Sequence, residues 1–190
     1  MRISILVQDL NLELLNFIIQ SIKKNIFVKN IIFVQKTEMH SVRKKQIKIR
    51  KNTYINNKKK PKFLIIKKII INIFFNILKY KYRYKIFYIN KDFITEKNYI
   101  YNYPTLLYSY EGIINEKNLK KFKKGLINIH PAILPEYRGL DAGLWALYKN
   151  GKLGVSAYLL DKGIDTGPII KRYFIKKKKF KSIQEYKNKL

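Results

Sequence analysis

Apolar positions along this chain follow two periods. Behind Arg2, the run Ile3-Ser4-Ile5-Leu6-Val7 is short and almost wholly apolar, which predicts a buried strand over residues 2–7. Leu10, Leu12, Leu14, Leu15, Phe17, Ile18, Ile19 and Ile22 then recur close to a helical face, so residues 10–22 are expected to be helical. Ile31-Ile32-Phe33-Val34, within 30–35, predicts a second strand. A strand, a helix and a strand within about 35 residues form a unit whose strands run parallel with a right-handed crossover.

Residues 39–62 are polar and basic and include Asn56-Asn57-Lys58-Lys59-Lys60-Pro61, a stretch expected to be loop or poorly ordered chain. Residues 63–78 are strongly apolar but interrupted by Lys67-Lys68. Their uninterrupted part, 69–78, is too short to span a bilayer. It is expected to be a helix packed on the domain, with a membrane-surface helix, favoured by the flanking lysines, as the alternative. Residues 80–87 alternate aromatic and basic side chains, which predicts an exposed strand or extended strip.

The second half is better punctuated. Strands are expected at 105–110, 126–130, 154–160 and 169–175, and helices at 115–124, 140–150 and 182–190. Gly125 suits the C-terminal side of the first of these helices, and Asn150-Gly151 ends the second. Leu144, Leu147 and Tyr148 should lie on one side of the second helix, with Trp145 read as core. The whole is an α/β pattern with a mostly parallel, doubly wound sheet, in which a site belongs at the carboxyl ends of the strands.

Composition changes this picture in three ways. The 190 residues suffice for a real core and are read as a single domain over 1–190. Cysteine is absent, which removes disulfides and thiolate metal sites and fits a reducing compartment, so a cytoplasmic protein is expected. The N-terminal apolar run is broken by Asp9 and lacks the length and cleavage site of a signal peptide. The net charge of +29 admits two explanations: a polyanionic partner such as tRNA or an anionic membrane, or codon bias toward Lys, Asn, Ile and Tyr. Its distribution is uneven. Between Gly125 and Ile170, Arg138, Lys149, Lys152 and Lys162 are balanced by Glu136, Asp141, Asp161 and Asp165, whereas no acid occurs from Ser41 to Lys91.

Chemistry concentrates in that neutral segment. Of the two histidines, His40 lies in a polar stretch without an obvious partner. His130 ends an apolar strand two residues after Asn128, and residues two apart on a strand project to the same side. A carboxamide and an imidazole on one edge suit acyl transfer: the amide donates to a developing oxyanion and the imidazole handles a proton. Asp161 and Asp165 bracket a glycine-containing turn that could bring a carboxylate to the same strand end, although spacing alone does not say which of them reaches His130. A structural strand end beside a polar turn would look the same.

The run Asn128-Ile129-His130-Pro131-Ala132-Ile133-Leu134-Pro135-Glu136-Tyr137-Arg138-Gly139 resembles the signature loop of the folate-dependent formyltransferases. A second signature, from Gly154-Val155-Ser156 through Leu160-Asp161-Lys162-Gly163-Ile164-Asp165-Thr166-Gly167-Pro168-Ile169-Ile170, is similar in order and spacing, and the likeness covers about residues 105–176. That family includes methionyl-tRNA, glycinamide ribonucleotide and amino-sugar formyltransferases. The resemblance implies a Rossmann-like formyltransferase fold and a catalytic set of Asn128, His130 and Asp165. It implies 10-formyltetrahydrofolate as donor, bound by Tyr110, Gly112, Ile113 and Ile114 and by Leu160, Asp161, Gly163 and Ile164, with no metal. The acceptor is then an amine on methionyl-tRNA or on an amino sugar, which Tyr137 and Arg138 could contact. Arg138 could equally be a plain loop charge.

Three features depart from parts of the family. The loop Gln8-Asp9-Leu10-Asn11 lacks the glycines that cradle phosphate in the glycinamide ribonucleotide enzymes. Gly139-Leu140-Asp141 differs from the usual Gly-Ala-Ala of the methionyl-tRNA enzymes, whose second, barrel-like domain is not expected here. The basic segment at about 39–90 resembles a variable insert in formyltransferases tied to surface-sugar synthesis, and could bind nucleic acid, membrane or nothing. Two rival functions remain: hydrolysis of the formyl-folate by the same residues, and a non-catalytic basic binding protein of nucleic acid or membrane.

Overall fold

The computed structural model describes residues 1–34, 62–89, 101–108, 110, 112–175 and 185. Outside these lie His40, the loop expected over 39–62 except its last residue, and the helix expected over 182–190 except Glu185. The chain divides into two compact units: Met1–Glu96 with Ser109–Ile113, and Lys97–Tyr108 with Ile114–Leu190.

In the first unit, β1 (Arg2–Val7), α1 (Leu12–Lys23) and β2 (Phe27–Val34) form the expected parallel crossover, and β3 (Lys85–Ile89) adds to β2, again in parallel. Ile5, Leu6, Val7, Leu14, Ile18, Ile31 and Ile32 make its core. Removing that aliphatic surface from water is what holds the unit together. A polar pair sits inside it. Asn30 Nδ2 donates to Ser4 Oγ at 2.9 Å, both side chains are buried, and the β1–β2 register shifts between Ile3 and Ser4 to bring them opposite one another. A buried polar pair satisfied only in one alignment fixes the register of two otherwise interchangeable apolar strands. Asn11 caps α1 by accepting from the Leu14 N–H at 2.8 Å, so the loop without glycines serves the helix start.

The long helix α2 (Lys62–Tyr82) runs through the Lys67-Lys68 interruption and on to Tyr82. Residues 80–87 are therefore a strand only from Lys85 on, where β3 begins. The helix takes their first part, Arg83 turns the chain at φ +52°, and Tyr84 and Phe87 are buried. The alternation of aromatic and basic residues hid a helix end because a helix can present the same residues to solvent on a face of period 3.6.

In the second unit, β4 (Thr105–Leu107) pairs in parallel with β5 (Leu126–His130), whereas β6 (Leu153–Leu159) and β7 (Ile169–Ile175) follow antiparallel. The sheet pairing is thus mostly parallel and the class α/β, as expected. The helix predicted for 115–124 is a single turn, α3 (Glu116–Leu119), capped by Asn115 and followed by turns that bury Phe122 against Tyr101. The helix predicted for 140–150 is α4 (Ala142–Tyr148), which buries Ala142, Gly143 and Ala146. Its small residues face inward, so Trp145 and Tyr148 stand outward against each other, and Trp145 is not core.

Tyr84 carries the one buried hydroxyl without a hydrogen-bond partner among the described residues, and burial, reinforced by Tyr82, raises its phenol far above the ordinary range. Replacing it with phenylalanine removes an unsatisfied polar atom at constant shape. Tyr84→Phe is expected to stabilise the protein by about 1 kcal/mol, read as a higher denaturation midpoint at unchanged m-value.

Candidate active site

The antiparallel register of β5 and β6 sets Asn128 opposite Tyr158 and His130 opposite Ser156. Side chains alternate along a strand, so these four share one face while Ile129 turns to the other. His130 is 4% exposed. Its Nε2 donates to the carbonyl of Tyr137 at 2.8 Å, since a carbonyl can only accept. Its Nδ1 lies 3.3 Å from Oδ2 of Asp165. The first contact anchors the ring. The second is long for a charge-assisted bond and leaves Nδ1 as the nitrogen most easily shared with a substrate.

Asp165 sits at φ +53°, in the left-handed region that aspartate tolerates better than most residues. Its carboxylate meets three groups. The Tyr158 hydroxyl donates to Oδ1 at 2.6 Å, the Gly139 N–H to Oδ2 at 2.8 Å, and His130 faces the same Oδ2. Tyr158 in turn accepts from Asn128 Nδ2 at 3.1 Å. One phenol therefore links the carboxamide to the carboxylate. Burial, and then the bond to Asp165, hold that phenol well above its usual range, with the bond from Asn128 pulling the other way, so Tyr158 remains a neutral donor.

Local features hold these groups in place. Ser156 Oγ, fully buried, donates to the carbonyl of Ala132 at 2.8 Å and accepts from the Leu134 N–H at 3.0 Å, and Arg172 Nε donates to the carbonyl of Leu134 at 2.7 Å. These bonds fasten the 131–139 loop to β6 and β7. Gly139 takes φ +80°, a conformation glycine adopts without strain, and so presents its N–H to Asp165. In the following turn, Asp161 Oδ1 accepts from the Gly163 N–H at 3.0 Å and from Thr166 Oγ1 at 2.7 Å. Gly167 closes it, since a Cβ there would collide with the carbonyl oxygen of Leu159.

Of the two candidate aspartates, then, Asp165 meets His130 and Asp161 shapes the turn. Leu160 is half-buried with its N–H on the carbonyl of Leu126, Gly163 is half-buried, and Ile164 is 64% exposed. Ile114 is buried in the second unit. Tyr110, Gly112 and Ile113 belong to the first unit: Tyr110 is half-buried with its phenol raised by burial, Gly112 takes φ +137°, and Ile113 is 83% exposed. Arg138 is exposed. Tyr137 packs its ring against Ala146 and Leu153, and its carbonyl is the group that touches His130. No cluster of three or more metal-ligating side chains occurs among the described residues.

Sequence reasoning missed Tyr158, the Gly139 N–H and the Tyr137 carbonyl. Tyr158 follows Ser156 by two in the strand partnering β5, but its meeting with Asn128 depends on an antiparallel register that spacing does not supply.

A model of the formyl transferase family matches residues 1–190. Methionyl-tRNA formyltransferase of Thermodesulfovibrio yellowstonii is 39% identical over 66 residues, which are 34% of this chain and 21% of that protein. The matched stretch is thus about a fifth of that relative's length. Among solved structures, phosphoribosylglycinamide formyltransferase from Bacillus halodurans superposes with a TM-score of 0.54 at 21% identity, covering 100% of this chain and 87% of the other. The formyltransferase PseJ from Anoxybacillus kamchatkensis, in complex with UDP-4,6-dideoxy-4-formamido-L-AltNAc and tetrahydrofolate, does so with a TM-score of 0.51 at 16% identity, covering 100% and 68%. At these identities the structural likeness is one of fold.

Two outcomes follow from the Tyr158 linkage. Tyr158→Phe removes the donor on Asp165 Oδ1 and the acceptor for Asn128, and is expected to destabilise the protein by about 1–3 kcal/mol in chemical denaturation. The raised phenols of Tyr84, Tyr101 and Tyr158 retain protons that the unfolded chain releases. Their contribution is full below the ordinary value of about 10 and falls as pH rises beyond it, for Tyr101 until about 12. Denaturation midpoints should therefore decline between about pH 9 and pH 12, and a flat profile there would contradict the assignment.

Proposed function

The chain belongs to the formyl transferase family, and from that premise we propose that it is an N-formyltransferase moving a formyl group from 10-formyltetrahydrofolate to a primary amine. The observation that carries the reading is the connected set of Asn128, Tyr158, Asp165 and His130 at the end of β5.

The donor supplies an activated formyl carbon. The turn at 160–165, stiffened by the bonds to Asp161 and presenting the exposed Ile164 beside Asp165, suits a flat heterocycle with a hydrogen-bonding edge. Leu160, Asp161, Gly163 and Ile164 of that turn are assigned to hold it. As the acceptor nitrogen attacks the formyl carbon, negative charge grows on the formyl oxygen. Asn128 Nδ2 carries two hydrogens, and only one is given to Tyr158, so the other can serve that oxygen. His130 Nδ1 supplies the second donor by loosening its 3.3 Å contact with Asp165. Asp165, fixed by Tyr158 and Gly139, keeps the imidazole oriented and balances its charge when protonated. The proton lost by the amine passes to the leaving nitrogen through water or Asp165.

Arg138, exposed one residue beyond Tyr137, is assigned to the acceptor. The acceptor classes are those of the relatives: methionyl-tRNA, as for the Thermodesulfovibrio protein, or an amino sugar carried on a nucleotide, as for PseJ. A folate-dependent reaction of this kind is assigned to the cytoplasm. No helix among the described residues is long and apolar enough to cross a membrane.

The test is an acceptor screen with 10-formyltetrahydrofolate, run with wild type, His130→Ala and Asp165→Asn. One acceptor should be formylated, and each variant should lower kcat by roughly a hundredfold or more. Comparable turnover in His130→Ala would remove the histidine from the mechanism. Rapid formate release without any amine would replace transfer by hydrolysis.

A further inference from the structure

Helix α2 is apolar on two sides. Ile71, Phe75 and Leu78, spaced four and three apart, face inward, with Phe75 edge-on to Phe33 of β2. Ile69, Ile70, Ile73, Phe74 and Ile77 lie on the far side, each between 46% and 55% exposed, and Tyr80 extends the same stripe. A helix that buries one stripe against its own domain needs polar residues opposite. Five large aliphatic and aromatic side chains there mark a surface that is covered when the protein works.

We propose that this outward face of α2 docks the protein on an anionic lipid surface. Charge selects this occupant. Lys68, Lys79 and Lys81 stand exposed along or beside the stripe, and the sequence holds no aspartate or glutamate from Ser41 to Lys91. A second copy of the same face would set lysine against lysine with no acid to pair. An RNA would satisfy the lysines and leave the isoleucines wet. A bilayer interface of acidic lipids accepts both at once: aliphatic side chains enter the acyl boundary, and ammonium groups stay at the phosphate level. Asn72 and Asn76, exposed within the apolar run, keep the helix lying in the interface. The inference goes beyond formyl transfer and does not rest on it.

The test is cosedimentation of the full chain with vesicles of phosphatidylcholine, alone or mixed with phosphatidylserine. The wild type should bind the mixed vesicles, bind neutral ones weakly, and release as salt is raised. The double variant Ile73→Gln/Ile77→Gln should lose affinity by more than about tenfold, with thermal melt and formyl transfer unchanged, because both side chains are half exposed. Should that variant unfold, Phe74→Gln reads the same face. Lys79→Glu/Lys81→Glu should lose binding to the mixed vesicles. Three results would overturn the proposal: no wild-type binding to either vesicle, binding indifferent to the isoleucine substitutions and competed away by RNA, or self-association abolished by those substitutions without vesicle binding.

Discussion

A carboxylate nearly withdrawn from water must have its charge answered by the groups around it, and in this protein Asp165 sets that requirement. Its side chain is 14% exposed, accepts from a phenol and a backbone N–H, and faces an imidazole. In a medium of low polarity such bonds are stronger than in water, and a missing one costs correspondingly more. Three separate pieces of chain are therefore bound to one anion: β6 through Tyr158, the 131–139 loop through Gly139, and β5 through His130. Asn128 is drawn in through Tyr158. The stability of the candidate site and the chemistry proposed for it rest on the same contacts, so substitutions of these residues are expected to move both together.

The legible part of the fold was where periodicity is long and clean. The parallel crossover of β1, α1 and β2 followed from continuous apolar runs around a helical stripe, and β7 ran over the expected residues. Short elements were misjudged where local preference was overruled by packing. Asn115 begins a helix as its type suggests, but burial of Phe122 on Tyr101 ends it after one turn. Trp145 is read as core from the sequence, yet the small side chains of α4 are the ones that pack inward.

The candidate site was legible through side-chain types and not through contacts. Asn128 and His130 are two apart on a strand, which places them on one face without further information. The choice between Asp161 and Asp165 was open, because a turn can aim either one. It is decided by backbone conformation: Asp165 occupies a left-handed position that swings its carboxylate back to the strand end, while Asp161 is used by Gly163 and Thr166. Tyr158 carries the network and was invisible, since its part depends on the pairing of two strands separated by the loop and α4.

The pairing of β5 with β6 has a consequence for how this segment can change over time. Every group that matters on these strands faces its partner by virtue of a register in which position parity decides which side a residue is on. A one-codon insertion or deletion between Gly154 and Leu159 would exchange inside for outside along the rest of the strand, sending Tyr158 to the wrong surface. Drift in composition, however strong, can replace residues here one at a time, but change in length is confined to the connections. The paired strands behave as a ruler fixed in its divisions and open to repainting.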